Sequence, residues 1–216
     1  MSTQKVRLTK EKETMLISLY ARALHSRSHD PLLRDPWAEQ AIERVEYDFK
    51  SIKLSGIEPL SIAIRARQFD AWVQEWIADA PASSVVHLGC GLDSRVFRVN
   101  PPATVRWFDI DYPEVIELRR ELYPELPGYS MIGSSLLEPS WLEGIPGDLP
   151  AMIVAEGVMM YLPASGGGPL LARLGEHFPS GRMTFDALST AGARMAGADK
   201  AVKATGAEFG WGLDDP

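Results

Sequence analysis

Gly89 and Gly91 interrupt an apolar run, Val85-Val86-His87-Leu88, just before an amphipathic segment carrying Val96, Phe97 and Val99. Glycines at a strand-to-helix junction allow a tight turn and close approach of a ligand to the backbone, and Asp93 is placed to cap the helix. Junctions of this kind cradle nucleotides in open α/β sheets. Asp111 lies 22 residues beyond Gly89, at the tip of a second apolar run, where a carboxylate can accept both hydroxyls of a ribose. The alternative is that Asp109 or Asp111 merely caps the helix opened by Pro113. Glu156 directly follows a third apolar run, 151–155. An acid at the carboxyl end of a buried strand can meet an ammonium or a sulfonium, or it can stand solvated at the strand end.

Arg65 belongs with these acids for a different reason. A helix predicted over about residues 60–79 carries an apolar stripe of Ile62, Ala66, Phe69, Trp72, Val73 and Trp76, and Arg65 falls on that stripe. An unpaired guanidinium is costly to bury, so Arg65 requires an anion: the carboxylate of a cofactor, or a core acid in a structural salt bridge. Arg67, beside Ala63, Asp70 and Ala71, is expected in a more solvated setting.

The glycine count selects among nucleotides. The dinucleotide fingerprint places a third glycine three residues after the second, and this chain has Ser94 there, which disfavours a dehydrogenase. Two glycines suffice for S-adenosylmethionine, in which methionine replaces the phosphates.

The elements that must position these residues follow from periodicity. Thr9 is placed to cap a helix in which Leu16, Leu19, Tyr20, Ala23 and Leu24 recur at helical spacing, ending near His29. Asp35-Pro36 opens another. Strands are predicted at the three apolar runs, at 129–134 and at 181–188, giving an α/β chain with a mostly parallel sheet. Residues 190–210, rich in Ala and Gly, read as a weakly buried helix or a mobile flap. With 216 residues, 45% of them hydrophobic, the chain has ample material for one core. No apolar run approaches the roughly 18 residues of a membrane span. The net charge of −7 argues against nucleic acid as a partner. The single cysteine, Cys90, fits a reducing cytoplasm and a packing role inside the turn.

The segments VVHLGCGLDSRVFR, WFDIDYPEV and IVAEGVMMYLP, with ETMLISLYARAL and AIRARQFD upstream, resemble the leucine carboxyl methyltransferase family, especially its bacterial tetracenomycin-type polyketide O-methyltransferases. The likeness runs from about Thr14 to Pro216. It implies a class I methyltransferase-like, Rossmann-like fold in which residues 1–80 form an N-terminal helical cap over a cofactor-binding core, 81–216. By this resemblance Arg65 binds the cofactor's carboxylate, and with the cofactor so identified Gly89 and Gly91 are its cradle, Asp111 its ribose partner and Glu156 the partner of its ammonium or sulfonium. Where relatives commonly carry an acid for the adenine amino group, this chain has Ser135 followed by Leu136; a hydroxyl accepts that bond more weakly.

The implied reaction is methyl transfer to an oxygen of a small-molecule acceptor, a carboxylate or a phenol. A carboxylate is ionised at neutral pH and needs no base, whereas a phenol gains from one. His87 reads as a packed core residue; His25 and His29, in the cap, keep the phenol open. Tyr161, five residues after Glu156, is the candidate for lining the pocket near the transferred methyl, and Met159 and Met160 read as packing. A protein C-terminal carboxylate as acceptor, or a shortened chain that binds cofactor without turnover, are the alternative readings. The family sheet has seven strands and only five are counted before Pro216, so an open sheet edge and self-association into a homo-oligomer are expected.

Overall fold

A computed structural model describes residues 4–5, 11–54, 56–163, 165–197, 209–210 and 212–214; Thr9 and residues 198–208 lie outside them. The chain begins with β1 (Gln4–Lys5), α1 (Glu11–Ser26), α2 (Pro36–Arg44), β2 (Val45–Glu46), which pairs in parallel with β1, and α3 (Glu58–Asp79). Asp35 caps α2 as its sequence position predicts, its Oδ1 accepting from the Ala38 N–H at 2.9 Å with Pro36 in the first turn. Leu16, Leu19 and Ala23 of α1 are buried against α2 and against Leu92 and Val115, while Leu24, read as part of the same stripe, points outward at 38% exposure.

Five parallel strands follow: β3 (Ser84–Leu88), β4 (Arg106–Asp111), β5 (Tyr129–Gly133), β6 (Ala151–Ala155) and β7 (Gly181–Phe185), in spatial order β5-β4-β3-β6-β7. They alternate with α4 (Arg95–Val99), α5 (Pro113–Leu122) and α6 (Gly167–His177), and α7 (Thr190–Gly197) comes last. The order reverses direction between β3 and β6, so the crevice at the carboxyl ends of these two strands is the topological switch point where open α/β sheets take ligands. The last strand is shorter than the predicted 181–188, and β5, at one edge of the sheet, is only partly buried.

Strand alternation decides what each face of the sheet carries. Val86, Leu88, Phe108, Ile110 and Ile153 pack on Leu170, Leu174 and Phe178 of α6 and its exit. Val85, Trp107, Met152 and Val154 pack on Phe69, Val73 and Trp76 of α3. Going up that second face towards the carboxyl ends, the period-two positions change from apolar to polar: His87, Asp109, Asp111 and Glu156. The sheet therefore delivers its acids to one side, beneath α3 and α4. Trp72, placed on the α3 stripe by spacing, is 40% exposed, because it lies to one side of the buried face formed by Ala66, Phe69, Val73 and Ile77.

Candidate active site

Gly89 and Gly91 both adopt positive φ, +57° and +49°. A Cβ at Gly89 would lie 2.4 Å from Val158 Cγ2, and one at Gly91 would lie 3.0 Å from Met15 Cβ, so the turn is pressed between α1 and the loop after β6. Asp111, at the tip of β4, accepts from the Gly91 N–H at 2.7 Å through Oδ2 and from the Tyr112 N–H at 2.7 Å through Oδ1. It does not cap α5, whose cap position is Tyr112. It joins the two carboxyl-end loops instead. Burial raises the Asp111 carboxyl above its ordinary value, against the pull of those two N–H groups.

Glu156 is buried, not solvated, with 6% of its side chain exposed. Its Oε1 accepts from Arg65 Nε at 2.8 Å and its Oε2 from Arg95 Nη2. Burial alone would raise this carboxyl, but Arg95 and then Arg65 outweigh it and hold it below its ordinary range. Arg65 also donates from Nη1 to Asp186 Oδ2 at 3.1 Å, and its side chain remains 34% exposed at the cavity wall. Both acid partners of Arg65 belong to the chain itself, the arrangement expected of the salt-bridge alternative, yet one guanidinium nitrogen is left over. Arg67 is exposed as predicted, but Asp70 beside it is 6% exposed because it turns inward to Arg95 and Arg98.

Beneath the glycine turn lies a set of buried ion pairs that spacing does not reveal. Arg95, with no exposed side-chain surface, binds Asp70 at 2.7 Å and Asp93 at 2.9 Å besides Glu156. Arg98 binds Asp70, Asp35 and Asp93 within 2.9 Å, and Arg22 donates to Asp35 and to the Leu92 carbonyl. Asp93 is thus no helix cap. Burial works to raise its carboxyl, and Arg95, Arg98 and Arg22 together carry it well below the ordinary range. Arg119 donates to the Gly91 and Asp93 carbonyls, both at 2.8 Å, and to Asp109. Despite its burial, Asp109 is held down to about 2, chiefly by Arg119. These arginines brace the turn from below, and a charged pair in low dielectric is costly to break.

A cavity of about 410 Å³ opens above this floor, and Arg65, Gly89, Gly91, Asp111, Ser135, Leu136, Glu156 and Tyr161 all line it. All eight predicted site positions are therefore brought together. The size falls within the roughly 300–1,000 Å³ of small-molecule sites. Ser135 Oγ accepts from the Leu137 N–H at 3.3 Å. Tyr161 stacks on Phe209 in the cavity lining, with ring centroids 5.0 Å apart. Met159 is fully buried, whereas Met160 reaches the cavity. His87 is the single histidine in the lining among the described residues; it is 1% exposed, with Nε2 facing Arg95 Nη1 at 3.3 Å and Nδ1 3.3 Å from Asp109 Oδ1. His25 does not line it: its Nε2 accepts from the Leu32 N–H at 3.0 Å, and His29 lies on the surface. Cys90 is buried in the turn, and burial pushes its thiol well above the ordinary value. Asp186 escapes a reading based on glycine spacing, although the signal that singles out Glu156, an acid directly after a strand, applies to it equally.

The family model for leucine carboxyl methyltransferase matches residues 15–128. The chain is 44% identical over 211 residues to the tetracenomycin polyketide synthesis O-methyltransferase TcmP of Streptomyces glaucescens, covering 98% of this chain and 78% of that protein. It is 31% identical over 233 residues to the S-adenosyl-L-methionine-dependent methyltransferase dpfgK of Gibberella zeae, with the same coverages of 98% and 78%. Among solved structures, a Thermobifida fusca YX protein assigned as a methyltransferase superposes with a TM-score of 0.55 at 18% identity, over 91% of this chain and 75% of that one. The N-methyltransferase NodS of Bradyrhizobium japonicum WM9, in complex with S-adenosyl-L-homocysteine, superposes with a TM-score of 0.50 at 15% identity, over 83% and 78%. At such identities the two structures speak for the fold alone, which they share.

Proposed function

From the premise that this chain belongs to the leucine carboxyl methyltransferase family and is an S-adenosylmethionine-dependent methyltransferase, we propose that it methylates a carboxylate oxygen of a small, polyketide-type acceptor. The residues fit the cofactor. The glycine turn brings bare backbone to the cavity wall in a conformation that only glycine adopts readily, Asp111 stands at the tip of β4 where ribose hydroxyls are taken, and Arg65 keeps a nitrogen for a carboxylate. Ser135 and Leu136 are the adenine-side contacts in this reading, and the helices of residues 1–80 act as the cap, α1 closing the cavity through Met15 and Ser18. Bound there, S-adenosylmethionine supplies a methyl group already activated on a cationic sulfur.

The chain's own task is then to orient the acceptor and exclude water. Holding the reactants together is worth effective molarities of about 10⁵–10⁸ M. Tyr161 and Phe209 line the side where an acceptor enters, and Leu162, Leu188 and Met160 make that side apolar.

One observation carries the preference for a carboxylate over a phenol: His87, the cavity's histidine among the described residues, is 1% exposed, and its two ring nitrogens face the chain's own Arg95 and Asp109 rather than an acceptor. A carboxylate needs no base; a phenol does. The test incubates the protein with S-adenosylmethionine and a panel of aromatic acids, phenols and a C-terminal peptide, with mass spectrometry of the products. A methyl ester cleaved by mild alkali supports the reading. An alkali-stable aryl ether, or methylation of the peptide alone, refutes it.

A further inference from the structure

Asp186 directly follows β7, across the switch point from the glycine turn. Its Oδ1 accepts from the Gly157 N–H at 2.6 Å and its Oδ2 from Arg65 Nη1 at 3.1 Å. Arg65 Nε is taken by Glu156 at 2.8 Å. Nη2 has no hydrogen-bond partner among the described residues, and it lies 3.7 Å from where a Cβ of Gly157, at φ +68°, would stand. A side chain at residue 157 would crowd this nitrogen. Acids from the ends of β6 and β7 thus fix two edges of the guanidinium and leave the third for the cavity.

We propose that Asp186 is a positioning residue of the cofactor site: by tying Arg65 and Gly157 to the end of β7, it aims the remaining guanidinium nitrogen at the carboxylate of the cofactor's methionine moiety. This rests on the reading of Arg65 as that carboxylate's partner. An arginine held in place before binding loses less rotamer freedom when the ligand arrives. The negative charge of Asp186 does not oppose the ligand, because the cofactor's amino-acid end is a zwitterion whose ammonium stands one carbon from its carboxylate.

Asp186→Asn separates these effects. Oδ1 can still accept from Gly157, but the new amide group presents a donor to a donor, Arg65 Nη1, and releases it. Calorimetric titration with S-adenosylhomocysteine, and with 5′-methylthioadenosine, which keeps adenine and ribose and lacks the amino-acid end, gives the readout. We expect Asp186→Asn to weaken S-adenosylhomocysteine about tenfold, the scale of one charged hydrogen bond, with 5′-methylthioadenosine changed by less than about twofold. Should the Asn variant not fold, Asp186→Ser, which keeps an acceptor near Gly157, is read in the same way. Equal loss for both ligands makes Asp186 a scaffold residue and overturns the proposal. So does unchanged or tighter S-adenosylhomocysteine binding while Arg65→Ala binds weakly, an outcome that leaves the role of Arg65 standing. If Arg65→Ala itself binds S-adenosylhomocysteine normally, the reading of Arg65 falls and the proposal with it.

Discussion

Replacing Glu156 with Gln probes the centre of the buried charge network. Both carboxylate oxygens are in use, one for Arg65 and one for Arg95. A glutamine can accept from only one arginine and turns its amide N–H groups towards the other. Removing one partner of a buried pair costs about 3–5 kcal/mol when the other is left alone. Arg95, however, keeps Asp70 and Asp93, and Arg65 keeps Asp186 and partial solvent access, so the loss is nearer that of one charged hydrogen bond, about 2–3 kcal/mol. For a chain of this size that lowers Tm by about 4–12 °C. The pH dependence gives the sharper check. The folded Glu156 carboxyl is held below its ordinary value, so its stabilisation is complete above the unfolded pKa, about 4.3, and is lost as pH falls through the folded value. Urea denaturation of both proteins should therefore show a constant gap from about pH 5 to 8 that closes at lower pH. A gap under about 0.5 kcal/mol at pH 7, within the range of an ordinary surface change, would refute the reasoning, as would a gap that widens on acidification.

Gly89→Ala places a Cβ 2.4 Å from Val158 at φ +57°; a loss of at least about 2 kcal/mol by urea denaturation is expected, and adding Val158→Ala should restore the steric part but not the roughly 1–2 kcal/mol backbone part. Asp111→Asn cannot satisfy both the Gly91 and Tyr112 N–H groups, so it should weaken S-adenosylhomocysteine and 5′-methylthioadenosine alike by about tenfold, measured by calorimetry; an effect on the first ligand only would remove Asp111 from the ribose. Arg119→Met leaves Asp109 buried without its main counter-charge and should cost about 3–5 kcal/mol; a variant as stable as the parent would count against the brace under the turn. Cys90, 2% exposed and with a raised thiol pKa, should resist a disulfide reagent at pH 8 until the chain is unfolded by urea; labelling of the native protein at the unfolded rate would contradict its burial.

The strands, the glycine turn and the acids at strand ends were legible in the sequence because each is a local pattern. Runs of β-formers bounded by glycine, proline or acid mark β3, β4 and β6 to within a residue or so, and an acid after a run marks Asp111 and Glu156. Arg65 was found because helical spacing is equally local. The identity of its partners was not local at all. Glu156 and Asp186 are 91 and 121 residues away, and they meet Arg65 only because β6 pairs with β3 across the switch point and β7 with β6.

Asp93 shows the same division from the other side. By spacing it is a cap for α4, but folding brings Arg22 and Arg98 to it and the side chain serves those charges instead. Asp70 likewise turns from an expected solvated face to a buried pair, and His25 from a base in the cap to an acceptor for its own backbone. By itself, then, the sequence determined the elements, the cradle and the family, because periodicity and turn chemistry act over a few residues. Which charges neutralise one another, and so which side chains are left to meet a ligand, was decided by strand order and packing. Burying a charge is so costly that each arginine takes whatever carboxylate the tertiary fold brings within reach.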